Sequence, residues 1–214
     1  MKRHVTIIGG GLAGCEAAWQ LAKMNIEVTL YEMRPKKQTP AHRTSFLAEL
    51  VCSNSLRSDR LENAVGLLKE EMRSLDSLVM KSADLNRVPA GGALAVDRIG
   101  FSSYITKSIE THRNIQVIRE HVDHIPEGPV IIATGPLSSG SISKAISELI
   151  KEDYLYFYDA AAPIVDFVSL DMNKIFKASR YGRGEDYLNC PMSEREYKNF
   201  WYELFHFYIN PQIN

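Results

Sequence analysis

Cysteine is scarce. The 214 residues hold three, Cys15, Cys52 and Cys190, too few and too scattered for a disulfide framework or a zinc site. No C-x-x-C occurs, so the usual redox pair of a disulfide reductase is missing. A reducing, cytoplasmic setting without a bound metal is the expectation. Charge of one sign is not in excess either, with 25 basic and 26 acidic residues and a formal net charge of −1. That balance announces no nucleic-acid partner, although it leaves room for a local basic patch. No apolar run approaches the ~18 residues that span a bilayer. The basic start, Met1 to His4, leads into only Val5 to Ile8 before glycines intervene, which is too short for a signal-peptide core. No membrane contact is expected. Internal repeats and low-complexity tracts are absent as well.

What remains is ordinary globular composition, 45% hydrophobic and 24% charged. The length suits one large domain, or one domain and part of a second. Val5-Thr6-Ile7-Ile8 reads as a buried parallel strand ended by glycines. Leu12 to Met24 is Ala-rich, with Ala17, Ala18, Leu21 and Ala22 on one face of a helix. Asn25 suits a left-handed helix stop. Val28 to Tyr31 is a second strand, which completes a βαβ unit. A polar loop follows from Arg34 to Thr44. Leu61, Val65, Leu68, Met72, Leu75 and Val79 step by four and three, predicting one long amphipathic helix over Leu61–Ala83. Strands are predicted at Leu94–Val96, Ile115–Val122 and Val130–Ala133, and a helix at Ile99–His112 capped by Asp97. From Lys151 the texture changes. Tyr154-Leu155-Tyr156-Phe157-Tyr158 favours a strand, and Ser193 with Glu196 forms a capping-box start for a helix to Phe207. The expected division is a Rossmann-like α/β domain over residues 1–150, followed over residues 151–214 by the beginning of a smaller α+β insertion domain that bears on substrate.

Gly9-Gly10-Gly11-Leu12-Ala13-Gly14 is a G-x-G-x-x-G placed directly after a strand and opening a helix. Gly9 permits the turn, Gly11 lets the backbone approach a pyrophosphate, and Gly14 lets helix and strand pack closely. The pyrophosphate then meets N–H groups at the positive end of a helix dipole. Glu32 ends the second strand 18 residues after Gly14 (32 − 14 = 18), close to the ~20 expected of the acid that binds ribose hydroxyls. A carboxylate there repels a 2′-phosphate, which favours FAD or NAD over NADP. Gly14, Ala18, Asn25, Val28 and Glu32 match an extended FAD fingerprint, with Asn25 where that fingerprint usually has glycine. The alternative is a glycine-rich turn in an ordinary α/β protein. A second pointer to FAD is the strand Val130–Ala133 ending in Thr134-Gly135, since such a strand returns beside the cofactor in two-domain flavoproteins.

Longer strings carry a resemblance. They include Tyr31-Glu32-Met33-Arg34-Pro35, Gln38-Thr39-Pro40-Ala41-His42 and Glu49-Leu50-Val51-Cys52-Ser53-Asn54-Ser55-Leu56-Arg57. Further strings are Leu68-Lys69-Glu70-Glu71-Met72, Val88-Pro89-Ala90-Gly91-Gly92-Ala93-Leu94-Ala95-Val96-Asp97-Arg98, Asp159 to Val165 and Tyr187-Leu188-Asn189-Cys190-Pro191-Met192. Together they closely resemble the folate- and FAD-dependent tRNA (uracil-5-)-methyltransferases, a family related to the glucose-inhibited division flavoproteins. The resemblance implies a flavin reduced by NAD(P)H. It also implies transfer of a methylene carbon from methylenetetrahydrofolate to C5 of a T-loop uridine in tRNA, with reduction to methyl. It assigns Gly9, Gly10, Gly11, Leu12, Ala13 and Gly14 to the FAD-binding loop and Glu32 to the ribose. Members of that family are roughly twice this length. Their second half carries a further cysteine motif and a returning flavin-binding segment. The chain is thus expected to match an N-terminal half, with a C-terminal half as its complement.

Cys52 and the basic stretch keep two readings each. A Cys52 thiolate can add at C6 of uracil to create an enamine at C5, or hold the transferred carbon; it can equally be a small buried hydrophobe. Cys15 reads as helix packing and Cys190 as structural. Arg34, Lys36, Lys37, His42 and Arg43, then Arg57 and Arg60, make a basic stretch for phosphates of tRNA or NAD(P)H, or a solvated loop. Arg98 is placed toward the flavin side of the sheet. Two other functions stay open: a general FAD-dependent oxidoreductase, and a non-catalytic dinucleotide-binding fragment.

Overall fold

The computed structural model describes residues 3–151, 165–179 and 184–209; the strand expected at Tyr154–Tyr158 lies outside them. The chain forms two compact units, residues 1–163 and 164–214.

The first unit opens as its apolar pattern requires. β1 (His4–Ile8) buries Thr6, Ile7 and Ile8. It turns through the glycines into α1 (Leu12–Lys23), which buries Gly14, Cys15, Ala18 and Ala22. These small residues recur every three or four positions, so the helix axis lies close to the strands. Asn25 sits at φ 57°, the left-handed conformation that ends helices. β2 (Glu27–Tyr31) then returns parallel to β1, with Val5 opposite Val28 and Ile8 opposite Tyr31.

An excursion separates β2 from the rest of this sheet. β3 (Ser55–Ser58) is followed by α2 (Ala64–Ser74) and α3 (Leu78–Leu85). The single helix expected over Leu61–Ala83 is therefore two. The break has a local cause: Asp76 adopts φ 54°, and Ser77 caps α3 by accepting a hydrogen bond from the Met80 amide at 3.2 Å. Glu16 of α1 reinforces that start, accepting from the Ser77 hydroxyl at 2.8 Å and the Val79 amide at 2.9 Å. The predicted stripe does not stay on one face. Leu61, Leu68 and Leu75 are more than half exposed, whereas Val79 is buried.

β4 (Arg87–Val88) and β5 (Ala93–Val96) join β3 in an antiparallel sheet of order β3-β5-β4. Asp97 caps α4 (Arg98–Glu110) through the Gly100 amide at 2.6 Å. β6 (Ile115–Ile118), shorter than expected, pairs parallel with β2, and β7 (Val130–Ile132) pairs parallel with β1. A short turn of 3-10 helix at Gly135–Leu137 leads to α5 (Gly140–Ile150), capped by Ser139. The resulting parallel sheet has the order β6-β2-β1-β7. The chain leaves β1 in one direction to reach β2 and later comes back to β1's other side as β7. Connections on the two sides of β1 diverge, and a crevice opens at the carboxyl end of that strand.

The second unit pairs β8 (Phe176–Lys177) with β9 (Leu188–Asn189) and ends in α6 (Glu194–Ile209). The capping box is formed. The Ser193 amide and hydroxyl both donate to Glu196 Oε2 at 2.7 Å, and the Glu196 amide donates back to Ser193 Oγ at 3.3 Å. Among the described residues no helix is long and apolar enough to cross a membrane.

Candidate dinucleotide-binding site

Each glycine of the turn after β1 meets a different demand. Gly9 sits at φ 106°, and a Cβ there would lie 2.6 Å from the Ala133 carbonyl oxygen at the end of β7. A Cβ on Gly10 would lie 2.6 Å from Leu47 Cδ2 and 2.8 Å from Glu32 Oε2. On Gly14 it would lie 1.8 Å from the Gly9 carbonyl oxygen, so helix and strand close only without it. At Gly11 nothing lies within 4 Å. That residue faces open space at the start of α1, where no side chain caps the helix. The first amides of a helix have no partner within the helix and carry its positive end. A diphosphate fits this combination of open approach and directed N–H groups.

Glu32 follows β2 and is 6% exposed. Its Oε2 accepts from the Gly10 amide at 3.0 Å, which ties the acid to the glycine turn. Its Oε1 accepts from the Arg34 amide at 3.0 Å and from Arg34 Nε at 2.9 Å. Burial pushes the Glu32 carboxyl up, but hydrogen bonds from Arg34 and Gly10, together with the Arg34 charge, outweigh it and hold the group below its ordinary range.

Arg34 corrects the sequence reading. It is 1% exposed and takes no part in a solvated basic loop. Its Nη1 meets Glu49 Oε2 at 2.8 Å while its Nε holds Glu32. Glu49 in turn accepts from the Arg43 amide at 2.8 Å, the Thr44 amide at 3.1 Å and the Thr44 hydroxyl at 2.9 Å. The Ala48 amide donates to the Gly10 carbonyl at 2.8 Å. The loop from Met33 to Glu49 is thereby laced to the glycine turn.

Gly9, Gly10, Gly11, Glu32, Met33, Arg34, His42, Glu120, His121, Val122, Ala133, Thr134, Ser138 and Ser139 line one cleft at the carboxyl end of β1. Leu12, Ala13 and Gly14 stand behind it in the first turn of α1, and Gly135, at φ 63°, begins the turn beyond Thr134. The structure therefore brings together the glycine turn, Glu32 and Thr134. His42 contacts the Thr39 hydroxyl through Nδ1 at 2.6 Å. Burial lowers its pKa, the Arg34 charge adds to this, and Glu49 and Glu32 oppose it. Lys36 pairs with Glu120 at 3.2 Å, and Lys37 Nζ lies 3.0 Å from His121 Nε2. Arg43, Arg57 and Arg60 are exposed.

Cys52 is not part of the cleft lining. It is half-buried, in the segment between Leu50 and β3. Arg98 does not line the cleft either; its Nη1 donates to the Leu50 carbonyl at 3.0 Å and its Nη2 to the Cys52 carbonyl at 3.3 Å. Cys15 is fully buried, donates to the Gly10 carbonyl at 3.3 Å, and has its thiol pushed up to about 12, first by burial and then by the Glu32 charge. Packing is its role. Cys190 is exposed beyond β9. Sequence reasoning missed Glu49, Ser138 and Ser139. The serines carried a usable signal, because Ser139 precedes Ile142, Ile146 and Leu149 at helical spacing. Glu49 carried none, since its partner is 15 residues away.

Comparison with known proteins adds three findings. A family model described as glucose inhibited division protein A matches residues 4–207. The chain is 62% identical over 206 residues to a protein of Acetivibrio thermocellus named methylenetetrahydrofolate–tRNA-(uracil-5-)-methyltransferase TrmFO, covering 95% of this chain and 47% of that protein. It is 64% identical over 200 residues to the Bacillus subtilis protein of the same name, covering 93% and 46%. The chain spans about half the length of the curated relatives it matches. Among solved structures, GidA of Aquifex aeolicus superimposes with a TM-score of 0.50 at 18% identity, covering 63% of this chain and 25% of that one. At that identity the likeness concerns the fold: a parallel sheet with a βαβ start.

Proposed function

The chain belongs to the glucose inhibited division protein A family, and from that premise we propose that it binds FAD in the cleft at the end of β1 and serves folate-dependent methylation of tRNA at uridine C5. The observation that carries this reading is the 62% identity to a named methyltransferase over nearly the whole chain. The cleft supports it independently. Gly11 leaves space where a diphosphate must approach, the start of α1 beside it has no side-chain cap, and Glu32 is fixed to the glycine turn. Arg34, the nearest cation to the ribose acid, is committed to two carboxylates. That commitment favours a ribose without a 2′-phosphate.

In this proposal Gly9, Gly10, Gly11, Leu12, Ala13 and Gly14 hold the diphosphate through the turn and the first turn of α1. Glu32 accepts from the ribose, and Thr134 with Gly135 carries the end of β7 past the cofactor. A methylene carbon lies two electrons above a methyl group, a difference that bound flavin, once reduced by NAD(P)H, would supply. Cys52 is the proposed nucleophile, and Arg98 fixes the main chain beside it. Residues 1–150 form the cofactor domain and residues 151–214 begin a second. The part of the relatives beyond the matched stretch is the proposed complement, and the cytoplasm, where tRNA is found, is the proposed location.

The test is label transfer. The FAD-loaded chain, supplied with the remaining half of the Bacillus subtilis relative, is incubated with unmodified tRNA, labelled methylenetetrahydrofolate and NADH or NADPH. Label in 5-methyluridine of the T-loop is expected. A folded, FAD-loaded protein that transfers none contradicts the proposal, and an inert but FAD-binding chain leaves the dinucleotide-binding fragment.

A further inference from the structure

Arg34 fills a position that the dinucleotide fingerprint does not assign. It is the largest fully buried side chain of the described residues, and it bridges two carboxylates from either end of one loop. Glu32 Oε1 is taken up by the Arg34 amide at 3.0 Å and Nε at 2.9 Å. Glu32 Oε2 accepts from the Gly10 amide at 3.0 Å and only loosely from Arg34 Nη2 at 3.3 Å. A carboxylate has about four acceptor positions. Those four hydrogen bonds fill the carboxylate, and the long one from Arg34 Nη2 to Oε2, beside the glycine turn, is the one a hydroxyl displaces. Glu49, fixed by the Arg43 amide and by Thr44, anchors the far side of the guanidinium at 2.8 Å.

Resting on the reading of this cleft as a dinucleotide site, we propose that Arg34 is a positioning residue: clamped by Glu49, it presents Glu32 Oε2 to the 2′-hydroxyl of the adenosine ribose and so sets selection for ribose over deoxyribose. A guanidinium does this because its planar fork meets two acceptors in fixed geometry, whereas an ammonium is a single point charge. The titratable and charged groups facing Glu32 are Arg34 and His42 of the loop after β2 and the neutral Cys15 thiol of α1, with Glu49 acting through Arg34.

The test is equilibrium binding of FAD, with displacement by ADP and by 2′-deoxy-ADP. The unaltered chain binds FAD and prefers ADP to 2′-deoxy-ADP by about tenfold or more, as a charge-assisted hydrogen bond predicts. In Arg34→Gln the preference falls toward parity, and the acid limb of FAD binding moves to higher pH, because Glu32 then takes up a proton more readily. Because the Arg34 charge also lowers the His42 pKa, both proteins are compared in a His42→Gln background, where the displacement reports Glu32. Arg34→Lys, which keeps the charge in a smaller change to the buried site, loses the ADP preference without the pH displacement; Glu49→Gln reduces the preference while leaving Arg34 in place. If the variants bind both nucleotides more weakly by the same factor, Arg34 is merely structural and the inference is overturned while the cleft reading stands. If the unaltered chain binds neither FAD nor ADP, the cleft reading fails and takes the inference with it.

Discussion

Gly11 and Gly14 stand three residues apart and answer opposite demands. Gly14 is required by the protein itself, since a Cβ there would sit 1.8 Å from a backbone oxygen. Gly14→Ala is expected to cost about 3 kcal/mol or more by overpacking, read from urea denaturation. Nothing in the chain itself requires Gly11, because a Cβ there meets nothing within 4 Å, and the proposed diphosphate is what would need the space. Its backbone, at φ −75° and ψ −170°, suits alanine. Gly11→Ala should denature at the same urea concentration as the unaltered chain and bind FAD at least about tenfold more weakly, a loss of about 1.4 kcal/mol. Glu32 makes a pH prediction. Its folded pKa lies below the ordinary value of 4.5, so its contribution to stability is complete above 4.5 and is lost as pH falls through the folded value. Urea midpoints of the unaltered chain and Glu32→Gln should differ at pH 7 and converge at the acid end. The placement of the glycines and Glu32 around one turn was legible because their spacing is fixed by the βαβ unit. Arg34 was not. A charged residue in a proline-flanked polar stretch reads as solvated until Glu49 is known to stand against it.

Elements closed by local contacts were read well, and elements closed from afar were not. The αL stop at Asn25 lies in its own sequence, and Asn25→Ala is expected to cost about 1 kcal/mol, because alanine keeps the Cβ crowding at φ 57° and loses the short polar side chain that offsets it. The break between α2 and α3 was missed because the apolar step of four and three runs across it without interruption. What ends α2 is a left-handed Asp76 and a serine cap held by Glu16 from another helix. Ser77→Ala should cost about 1 kcal/mol for the cap alone. Removing the hydroxyl also strips one donor from Glu16, so thermal denaturation should show at least that loss. β3 went unread for a related reason: Ser55 pairs with Ala95, far along the chain, through a register shift. No period within Ser55–Ser58 announces such a partner.

At the scale of the whole chain, the sheet order β6-β2-β1-β7 decides where function can sit. It places the glycine turn, the acid after β2 and Thr134 after β7 around one crevice, although they come from the start of the chain and from 125 residues further on (134 − 9 = 125). The parallel α/β class and the crevice were legible from the strand–glycine–helix–strand pattern. The antiparallel β3-β5-β4 sheet inserted between β2 and β6 was not, because β3 pairs with β5 some 40 residues on (95 − 55 = 40) and β4 is only two residues long. Cys52 lies on that inserted portion and outside the cleft, so the nucleophile proposed at Cys52 and the cofactor capture proposed at Gly11 are separable by mutation. The proposed FAD capture rests on the open glycine at the head of α1. Fluorescence titration of FAD into the purified chain and into Gly11→Val tests it most directly. Saturable binding by the first, with its loss in an equally folded second, is the predicted result; FAD binding of the same strength in both would contradict the account.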